Sequence, residues 1–442
     1  MLGYYLRLSL KSLQRTPGLT ALMIGAIALG IGACIITLTV YHTMSGNPIW
    51  WKNNVLYAVT MDSWDAGMPY DPQHPTLPPW QLTYKDITAL AQTDIPKRKA
   101  VMTQLRGSLS GAPGQRLPLQ VLTRATTTDF FPMFDVPFQY GGTWRAEADR
   151  GPAPVIVLGK KANDTLFGGA DSVGRTVLWN GHRFRVVGVL GRWQPLPRFY
   201  DIIDGSAFSA PEDAFVPFSW ATTLREMPSG NTDCVSSSTY HNYQEFLASE
   251  CVWTEMWVEL PSAASRAHFQ AFMDAYWAAQ HKAGRFPRPL NNHLTDVGQW
   301  MQINGVVSSD SRILLRIAFA FLAVCLINTV GILLTKFLRG APVTGLRRAL
   351  GASRRQIFLQ HIVEVSVVSL AGAALGLALG ALGLMAVRAA YAQDDLYSAL
   401  AHFDPQGVGW ALALAALSTL AAGLYPALTA GRLPPAVYLK GR

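Results

Sequence analysis

Four stretches of the chain contain no Asp, Glu, Lys or Arg and are apolar almost throughout: residues 19–41, 317–335, 365–387 and 408–431. A helix rises 1.5 Å per residue, so about 20 residues cross the apolar part of a bilayer. Four buried core helices of this length are not typical of a soluble protein. The first stretch is also longer than a signal-peptide core of roughly 7–15 residues. The pattern predicts four membrane-spanning helices, the first of them retained.

The first 15 residues follow a different pattern, in which leucines and basic residues recur at helical spacing on separate faces. The residues are Leu2, Leu6, Leu10 and Leu13, and Arg7, Lys11 and Arg15. This arrangement is typical of an amphipathic helix that lies on a membrane surface. Thr16 and Pro17 then provide an N-cap and a first-turn proline, so we expect the first span to begin at Pro17.

The segment between the first two spans, residues 42–310, contains no run long enough to cross a membrane. It is long enough to bury its own core, and we expect two subdomains. Residues 155–158 are β-prone, residues 160–167 are helix-compatible, and Asn180-Gly181 between two β-prone runs is a strong hairpin signal. Residues 263–284 favour a helix with an aromatic stripe, expected in the core: Phe269, Phe272, Tyr276 and Trp277. The segment is therefore predicted to be a mixed α/β domain.

The charge distribution predicts the orientation in the membrane. Only 15% of the residues are charged, yet three segments together hold 12 Lys or Arg and no acidic residue: 1–16, 336–357 and 432–442. In the rest of the chain the 28 acidic residues outnumber the Lys and Arg residues, so the net charge of +9 comes from these three segments. Because residues 42–310 are not strongly basic, they do not favour a nucleic-acid partner. The positive-inside rule predicts that all three segments, including both termini, are cytoplasmic.

The four cysteines fall into two pairs with different surroundings. Cys34 and Cys325 lie within predicted spans, where a thiol packs as a small apolar group. Cys234 and Cys251 lie in the predicted outer domain, where the compartment favours oxidation. We expect Cys234 and Cys251 to form one disulfide.

Polar and small residues within the spans suggest contacts between helices. Gly372, Gly376 and Gly380 recur at every fourth position, which places them on one face and permits close packing, although general looseness of a Gly- and Ala-rich helix is an open alternative. Asn328 lies in the middle of the second span, where an interhelical hydrogen bond is favoured over a substrate contact. Glu364 begins the third span and is expected to pair with an arginine.

The sequence contains no constellation typical of an enzyme. Its nine histidines form no His-x-x-x-His pair and no zinc-spaced cluster with cysteine. A P-loop is also absent, because Gly159-Lys160-Lys161 lacks the upstream glycine and the following hydroxyl residue. We therefore expect no catalytic activity, metal or cofactor in this chain. If ATP and Mg²⁺ drive its function, a partner subunit binds them.

Residues 345–357 are the most informative cytoplasmic segment. They form a short amphipathic pattern, a glycine stop and a new helix start at Ser353. One interpretation is a basic loop whose arginines reach the lipid headgroups. The other is a helix that docks a soluble subunit, for which the candidate residues are Leu346, Arg347, Arg348, Ala349, Leu350, Gly351 and Ala352.

Motifs along nearly the whole chain resemble the MacB/FtsX-like permease family of ABC transporters. The sequence Gly-Leu-Arg-Arg-Ala-Leu-Gly-Ala at 345–352 resembles that family's coupling-helix motif. Further segments resemble its N-terminal helix, periplasmic core domain and C-terminal end: residues 7–17, 130–134, 166–175, 184–189, 423–427 and 432–436. Each motif is weak alone, and together they occur in the family's order.

The resemblance implies a four-helix membrane region with a mixed α/β periplasmic domain, in a MacB-like mechanotransmission architecture. Helix-compatible residues 296–316 would extend the second span as a rigid stalk. The expected divisions are residues 1–16 (cytoplasmic amphipathic helix), 17–41 (first span), 42–310 (periplasmic core domain), 311–337 (stalk and second span), 338–357 (coupling region), 358–390 (third span), 391–407 (periplasmic loop), 408–431 (fourth span) and 432–442 (cytoplasmic tail).

The resemblance also implies a function and partners. The chain would be an inner-membrane permease that couples hydrolysis by separate ATPase subunits to efflux of a small molecule or peptide, with a second permease subunit and membrane lipid around it. A periplasmic adaptor and an outer-membrane channel are further expected partners. The alternatives are lipoprotein release, FtsX-like regulation of a cell-wall hydrolase, and a sensor linked to a kinase.

One departure from the family pattern bears on the partner. Val343 stands where the family usually has an acidic residue, and Pro342 precedes it. This difference raises the alternative of an unequal pair of permease subunits, in which the partner keeps the acidic residue. The sequence does not decide between a homodimer and such a heterodimer.

Overall fold

The computed structural model describes residues 2–111, 118–235, 239–306 and 309–390, together with Gly409 and Ala413. The chain divides into two compact units, which we describe separately. The helical unit comprises Met1–Ser45 and Val307–Arg442, and the α/β unit comprises Gly46–Val306.

The described elements are numbered in chain order. The helices are α1 (Leu2–Arg15), α2 (Pro17–Ser45), α3 (Tyr84–Leu90), α4 (Phe130–Met133), α5 (Lys160–Phe167), α6 (Ser219–Thr223), α7 (Tyr243–Ala248), α8 (Ala263–Lys282), α9 (Val297–Ile303), α10 (Ser309–Arg339), α11 (Ala341–Ala349) and α12 (Arg354–Ala390). The strands are β1 (Leu56–Thr60), β2 (Leu82–Thr83), β3 (Arg98–Ser110), β4 (Leu119–Thr126), β5 (Phe138–Gly141), β6 (Val155–Leu158), β7 (Thr176–Trp179), β8 (His182–Leu190), β9 (Ala214–Pro217), β10 (Val252–Glu259) and β11 (His293–Asp296).

Three helical segments in the described part of the chain are long and apolar enough to cross a membrane: Pro17–Lys52, Ser311–Arg339 and Arg354–Val387. They correspond to the first three predicted spans. The predicted periplasmic loop 391–407 and cytoplasmic tail 432–442 lie outside the described residues, as does the fourth span 408–431 apart from Gly409 and Ala413. The helix α2 continues to Ser45, four residues beyond the predicted end of the first span.

Helix α2 packs against both of the other long helices. Against α10 it runs antiparallel, and the thiol of Cys34 donates to the carbonyl oxygen of Ala318 at 3.3 Å. Against α12 it runs parallel, because successive glycines of α12 face successive isoleucines of α2. A methyl group placed on Gly372 would lie 2.7 Å from Cγ2 of Ile27. The absence of a side chain there allows the two helices to approach closely.

The α/β unit is built on one continuous sheet with the strand order β11-β1-β10-β3-β4-β9-β6-β8-β5. Strand β2 pairs with β10, and β7 pairs with both β3 and β8. The β4–β9 and β6–β8 pairs are parallel, and the remaining pairs are antiparallel. At one edge β1 and β11 lie side by side, with Tyr57 opposite Asp296.

Successive side chains along each strand point to opposite faces of the sheet, and both faces are covered. Leu56, Ala58 and Trp257 lie in one apolar cluster with residues of α4 and α9. Their neighbours Tyr57 and Val258 lie in another cluster, which contains residues of α3 and α8. Helices therefore cover both faces at this end of the sheet, and the strands are buried along their length.

Local predictions for this unit are confirmed where the signals were strongest. Strand β6 and helix α5 have the predicted bounds, and β7 and β8 form the predicted hairpin. At its turn Asn180 and Gly181 have φ values of 46° and 80°, the left-handed pair that a two-residue hairpin requires. The aromatic stripe of α8 packs in the core around Phe269, which is fully buried.

The predicted continuous helix over residues 296–316 is wrong. Helix α9 ends at Ile303, and Trp300 and Met301 pack within the core of the α/β unit. Gly305 then adopts a φ of 61°, which breaks the helical path and suits glycine. The next helix, α10, begins at Ser309. Helix-compatible composition did not reveal this break, because Asn304 and Gly305 are only two residues in a longer run.

The predicted disulfide between Cys234 and Cys251 is present, with a Cα–Cα distance of 4.1 Å. It joins the segment before α7 to the residue that precedes β10. Asp233 also forms an isolated β-bridge with Val252, so backbone and disulfide hold the same two segments together. Cys34 and Cys325 are buried free thiols, consistent with a packing role.

Candidate coupling site

Helix α11 is a short helix between the two long helices α10 and α12. Gly340 precedes it and Pro342 lies in its first turn, where a missing backbone N–H costs no hydrogen bond. Gly351 follows with a φ of 99°, a conformation that favours glycine. Ser353 and Gln356 then bond each other's backbone N–H groups, at 3.2 and 2.9 Å, and so begin α12. The predicted glycine stop and helix start are therefore both present.

One face of α11 packs inward and the opposite face is exposed. Ala341 and Gly345 are buried, whereas Val343, Leu346 and Leu350 are exposed by 55%, 52% and 80%. The three exposed side chains recur at i, i+3 and i+7, so they line one side of the helix. We call Val343, Leu346 and Leu350 the docking face. Ala349 is also exposed beside it.

The arginines of α11 do not share one environment. Arg347 donates from Nη1 to Oε1 of Gln360 at 2.9 Å, which connects α11 to α12. The backbone carbonyl of Arg347 also accepts from the N–H of Ala352 at 3.0 Å. Arg348 is half-buried. Arg347 therefore helps to fix the position of α11 as well as carrying charge.

Glu364 is buried near the start of α12 and receives two contacts from distant parts of the sequence. Its Oε1 accepts from the hydroxyl of Ser12 at 2.7 Å and lies 2.6 Å from Nζ of Lys336. The expected arginine partner is wrong, because the last turn of α10 brings Lys336 to this position. Helix α1, the end of α10 and the start of α12 therefore meet at one end of the helical unit.

The histidine that precedes Glu364 by one turn completes this junction. The ring centre of His361 lies 4.0 Å from that of Phe337, and its Nδ1 lies 3.9 Å from Oε2 of Glu364. His361 is nine-tenths buried. Together these contacts make the junction a packed unit with one ion pair at its centre.

The interhelical hydrogen bond predicted for Asn328 stays a prediction, because the fourth span, apart from Gly409 and Ala413, lies outside the described residues. The side chain of Asn328 lies on the exposed face of α10, next to Ile327, which is also exposed. This side chain makes no hydrogen bond to another described residue. The neighbouring Thr329 is the buried polar residue, and its hydroxyl donates to the carbonyl of Cys325 one turn earlier.

A buried cluster of charges in the α/β unit was not predicted from the sequence. Arg124 contacts both Asp201 and Glu212, and Arg198 lies 3.2 Å from Glu212. Oxygens of Asp201, Asp204 and Glu255 lie within 4.8 Å of one another. Burial raises the pKa of Asp204 to about 7. Because both guanidinium groups supply positive charge to these carboxylates, we interpret the cluster as structural.

Comparison with known proteins identifies both parts of the chain. Residues 20–276 match the family described as MacB-like periplasmic core domain, and residues 316–435 match the FtsX-like permease C-terminal family. The macrolide export ATP-binding/permease protein MacB of Wolinella succinogenes is 25% identical over 317 residues, which cover 71% of this chain and 43% of that protein. The pyoverdine export ATP-binding/permease protein PvdT of Pseudomonas syringae pv. tomato is 24% identical over 428 residues, which cover 95% of this chain and 57% of that protein.

The chain thus spans about half the length of the curated relatives it matches. Among solved structures, the periplasmic region of MacB from Actinobacillus actinomycetemcomitans aligns with a TM-score of 0.36 and 13% identity, covering 59% of this chain and 96% of that one. The family assignment rests on the sequence matches, of which the first alone covers more than half of the chain. The chain belongs to the MacB/FtsX-like family of ABC transporter permeases.

Proposed function

We propose that the chain is a permease subunit that couples ATP hydrolysis in a separate ATPase subunit to a conformational change of its periplasmic domain. The driven process would be export of a small molecule or peptide. Two of the similar proteins are named for export of macrolides and pyoverdine, which supports this direction of transport. ATP and Mg²⁺ would be bound by the ATPase, since the 442 residues contain no P-loop.

The exposed docking face on α11 carries the proposal. Two aliphatic side chains on a helix of nine residues and a third at its C-cap, Leu350, are exposed between two candidate spans, where the flanking segment is strongly basic. An apolar stripe rimmed by arginine is typical of a protein contact. Val343 extends this stripe, so the residue that departs from the family pattern adds apolar contact area where an acidic residue would have added charge.

The helical unit provides a path by which a movement of α11 could reach the first span. Arg347 holds α11 to Gln360 of α12, and the glycines of α12 pack closely on α2. A displacement of α11 would therefore move α12 and α2 together. Because α2 leads directly into the α/β unit, the movement would reach the periplasmic domain without a channel through the membrane.

The proposal includes an orientation in the membrane and a set of partner proteins. The N-terminal helix and the α11 region would be cytoplasmic, in accordance with their basic residues, and the protein would lie in the inner membrane. A second permease subunit would form a dimer, and the substitution of Val343 for an acidic residue favours an unequal pair. An adaptor and an outer-membrane channel are further proposed partners.

The test is affinity purification of the full chain from its host in a mild detergent, followed by mass spectrometry. We expect a P-loop ATPase to accompany the wild-type chain. Leu346→Asp places a charge at the centre of the docking face and should reduce the recovered ATPase about tenfold or more, because a buried unpaired charge strongly weakens an interface. A second permease related in sequence would identify the unequal pair.

Leu290→Asp is the matched control. Leu290 is 49% exposed, close to the exposure of Leu346, and lies in the α/β unit. This variant should recover the ATPase at the wild-type level. Equal recovery with Leu346→Asp would exclude the docking role, and recovery of a cell-wall hydrolase or a kinase in place of an ATPase would exclude the transporter.

A further inference from the structure

A cavity of about 310 Å³ lies in the helical unit between α1, the end of α10, α11 and the start of α12. Lys11 and Arg15 line it from α1, Arg339 from the end of α10 and Arg347 from α11. The Lys336–Glu364 ion pair also forms part of its wall. The cavity is therefore surrounded by side chains that lie far apart in the sequence.

The charges around this cavity do not balance. Lys336 and Glu364 neutralise each other at 2.6 Å. Arg347 bonds only the neutral amide of Gln360 among the described residues. The side chains of Lys11, Arg15 and Arg339 form no hydrogen bond or ion pair within the described part of the chain. Four positive charges thus face one cavity without a carboxylate to compensate them, and this arrangement favours an anion.

The cavity wall also includes hydrogen-bonding groups suited to an anion's oxygen atoms. The hydroxyl of Thr16 is buried and has no hydrogen-bond partner among the described residues. A hydroxyl can donate to a phosphate oxygen, and an arginine fork can bond two such oxygens together. A phosphate group satisfies both the uncompensated charge and the unpaired hydroxyl.

The place of the cavity along the helices indicates the source of the phosphate. Thr16 immediately precedes the candidate span Pro17–Lys52, and Arg339 is the last residue of Ser311–Arg339. Gln360 and His361 lie in the first two turns of Arg354–Val387. Three candidate spans therefore end around the cavity, at the depth where lipid headgroups lie.

We propose that this cavity binds the phosphate headgroup of an anionic phospholipid. Basic pockets between membrane helices on the cytoplasmic side are suited to such headgroups. The lipid would bridge α1 to the ends of α10 and α12 through its phosphate. This proposal does not rest on the docking of an ATPase, because it requires only the helical unit and a bilayer.

The test uses the purified full chain in a neutral detergent and native mass spectrometry with added phosphatidylglycerol. The double variant Lys11→Gln/Arg339→Gln removes two of the four charges, one from α1 and one from α10. We expect its apparent affinity for phosphatidylglycerol to fall on the order of tenfold, since each basic side chain near a headgroup contributes substantially. Phosphatidylcholine should bind weakly to both proteins.

Arg354→Gln/Arg355→Gln is the matched control, because both arginines are exposed in the same basic segment but do not line the cavity. This variant should retain the wild-type affinity. An equal loss in both double variants, or no loss in either, would overturn the proposal. Size-exclusion profiles and circular dichroism would show whether each variant is folded.

Inorganic phosphate distinguishes a lipid from a soluble ligand. We expect millimolar phosphate to leave phosphatidylglycerol binding unchanged, because the free anion lacks the acyl chains that hold the lipid near the cavity. If inorganic phosphate displaces the lipid from the wild type but not from the cavity variant, the site recognises a free anion and the lipid assignment is wrong.

Discussion

Ile31 of α2 and Gly376 of α12 face each other where the two helices approach closely. A methyl group on Gly376 would lie 2.9 Å from Cβ of Ile31 and 3.0 Å from the carbonyl oxygen of Ala28. Neither neighbour is the flexible end of a long side chain. The same spacing repeats one turn away in each direction, at Ile27 with Gly372 and at Ile35 with Gly380.

A larger residue at Gly376 should therefore push α2 and α12 apart. We expect Gly376→Leu to destabilise the helical unit by about 1–3 kcal/mol through overpacking, against a gain of up to about 1 kcal/mol from helix propensity. The measurement is the thermal unfolding midpoint of the purified protein in detergent. Gly331→Leu in α10 is the control, because a Cβ at Gly331 meets nothing within 4 Å. Equal midpoints for the two variants would contradict close packing at Gly376.

The Lys336–Glu364 ion pair gives a second prediction about stability. The two side chains are 7% and 3% exposed, so removing one partner leaves a buried charge. We expect Lys336→Met or Glu364→Met alone to cost about 3–5 kcal/mol, and the double variant to cost less than either single variant. A double-mutant cycle on thermal unfolding in detergent measures the difference. Additive costs would show that the pair is not coupled.

The carboxyl group of Asp149 in the α/β unit should make the stability of the protein depend on pH. Its carboxylate accepts from Thr128 N at 2.9 Å and from Trp144 Nε1 at 2.7 Å. Burial nevertheless raises the pKa of Asp149 from 3.8 to about 6. The folded state therefore binds the carboxyl proton of Asp149 more tightly than the unfolded state does. The contribution of this protonated carboxyl group to the free energy of unfolding is fully present below about pH 4 and is lost as the pH rises through about 6.

The corresponding variant is Asp149→Asn, which keeps an acceptor oxygen and cannot titrate. Between about pH 4 and pH 6 the unfolding midpoint of the wild type should fall relative to that of the variant, and above this range the difference should be constant. Asp94→Asn serves as the control, because the side chain of Asp94 is fully exposed. A constant difference across the whole range would show that Asp149 has an ordinary pKa.

The parts of the fold that could be predicted from the sequence have local causes. A run without charges predicts a span whatever surrounds it, and Asn180-Gly181 specifies a hairpin turn through two backbone angles. Gly351 and Ser353 likewise determine where α11 ends and α12 begins within a few residues. These signals need no information about distant partners.

The parts that could not be predicted depend on long-range contacts. Arg124 lies in the middle of a strand, where an arginine usually indicates the solvent face. Its partners Asp201 and Glu212 are 77 and 88 residues away, and nothing near them marks the pairing. Ser12 is separated from Glu364 by 352 residues. Lys336 is the partner of Glu364 because the end of α10 packs against the start of α12, and this packing is a long-range contact.

Strand β1 and the edge strand β11 determine where the chain enters and leaves the α/β unit. They pair beside each other close to the two ends of Gly46–Val306, and Gly298 N donates to Oδ1 of Asn53 at 2.9 Å. A body whose first and last segments adjoin can be removed or exchanged without stretching the chain that holds it. Residues 46–306 thus have the properties of a cassette, and a relative's domain of different specificity could replace them through the same two adjacent connections.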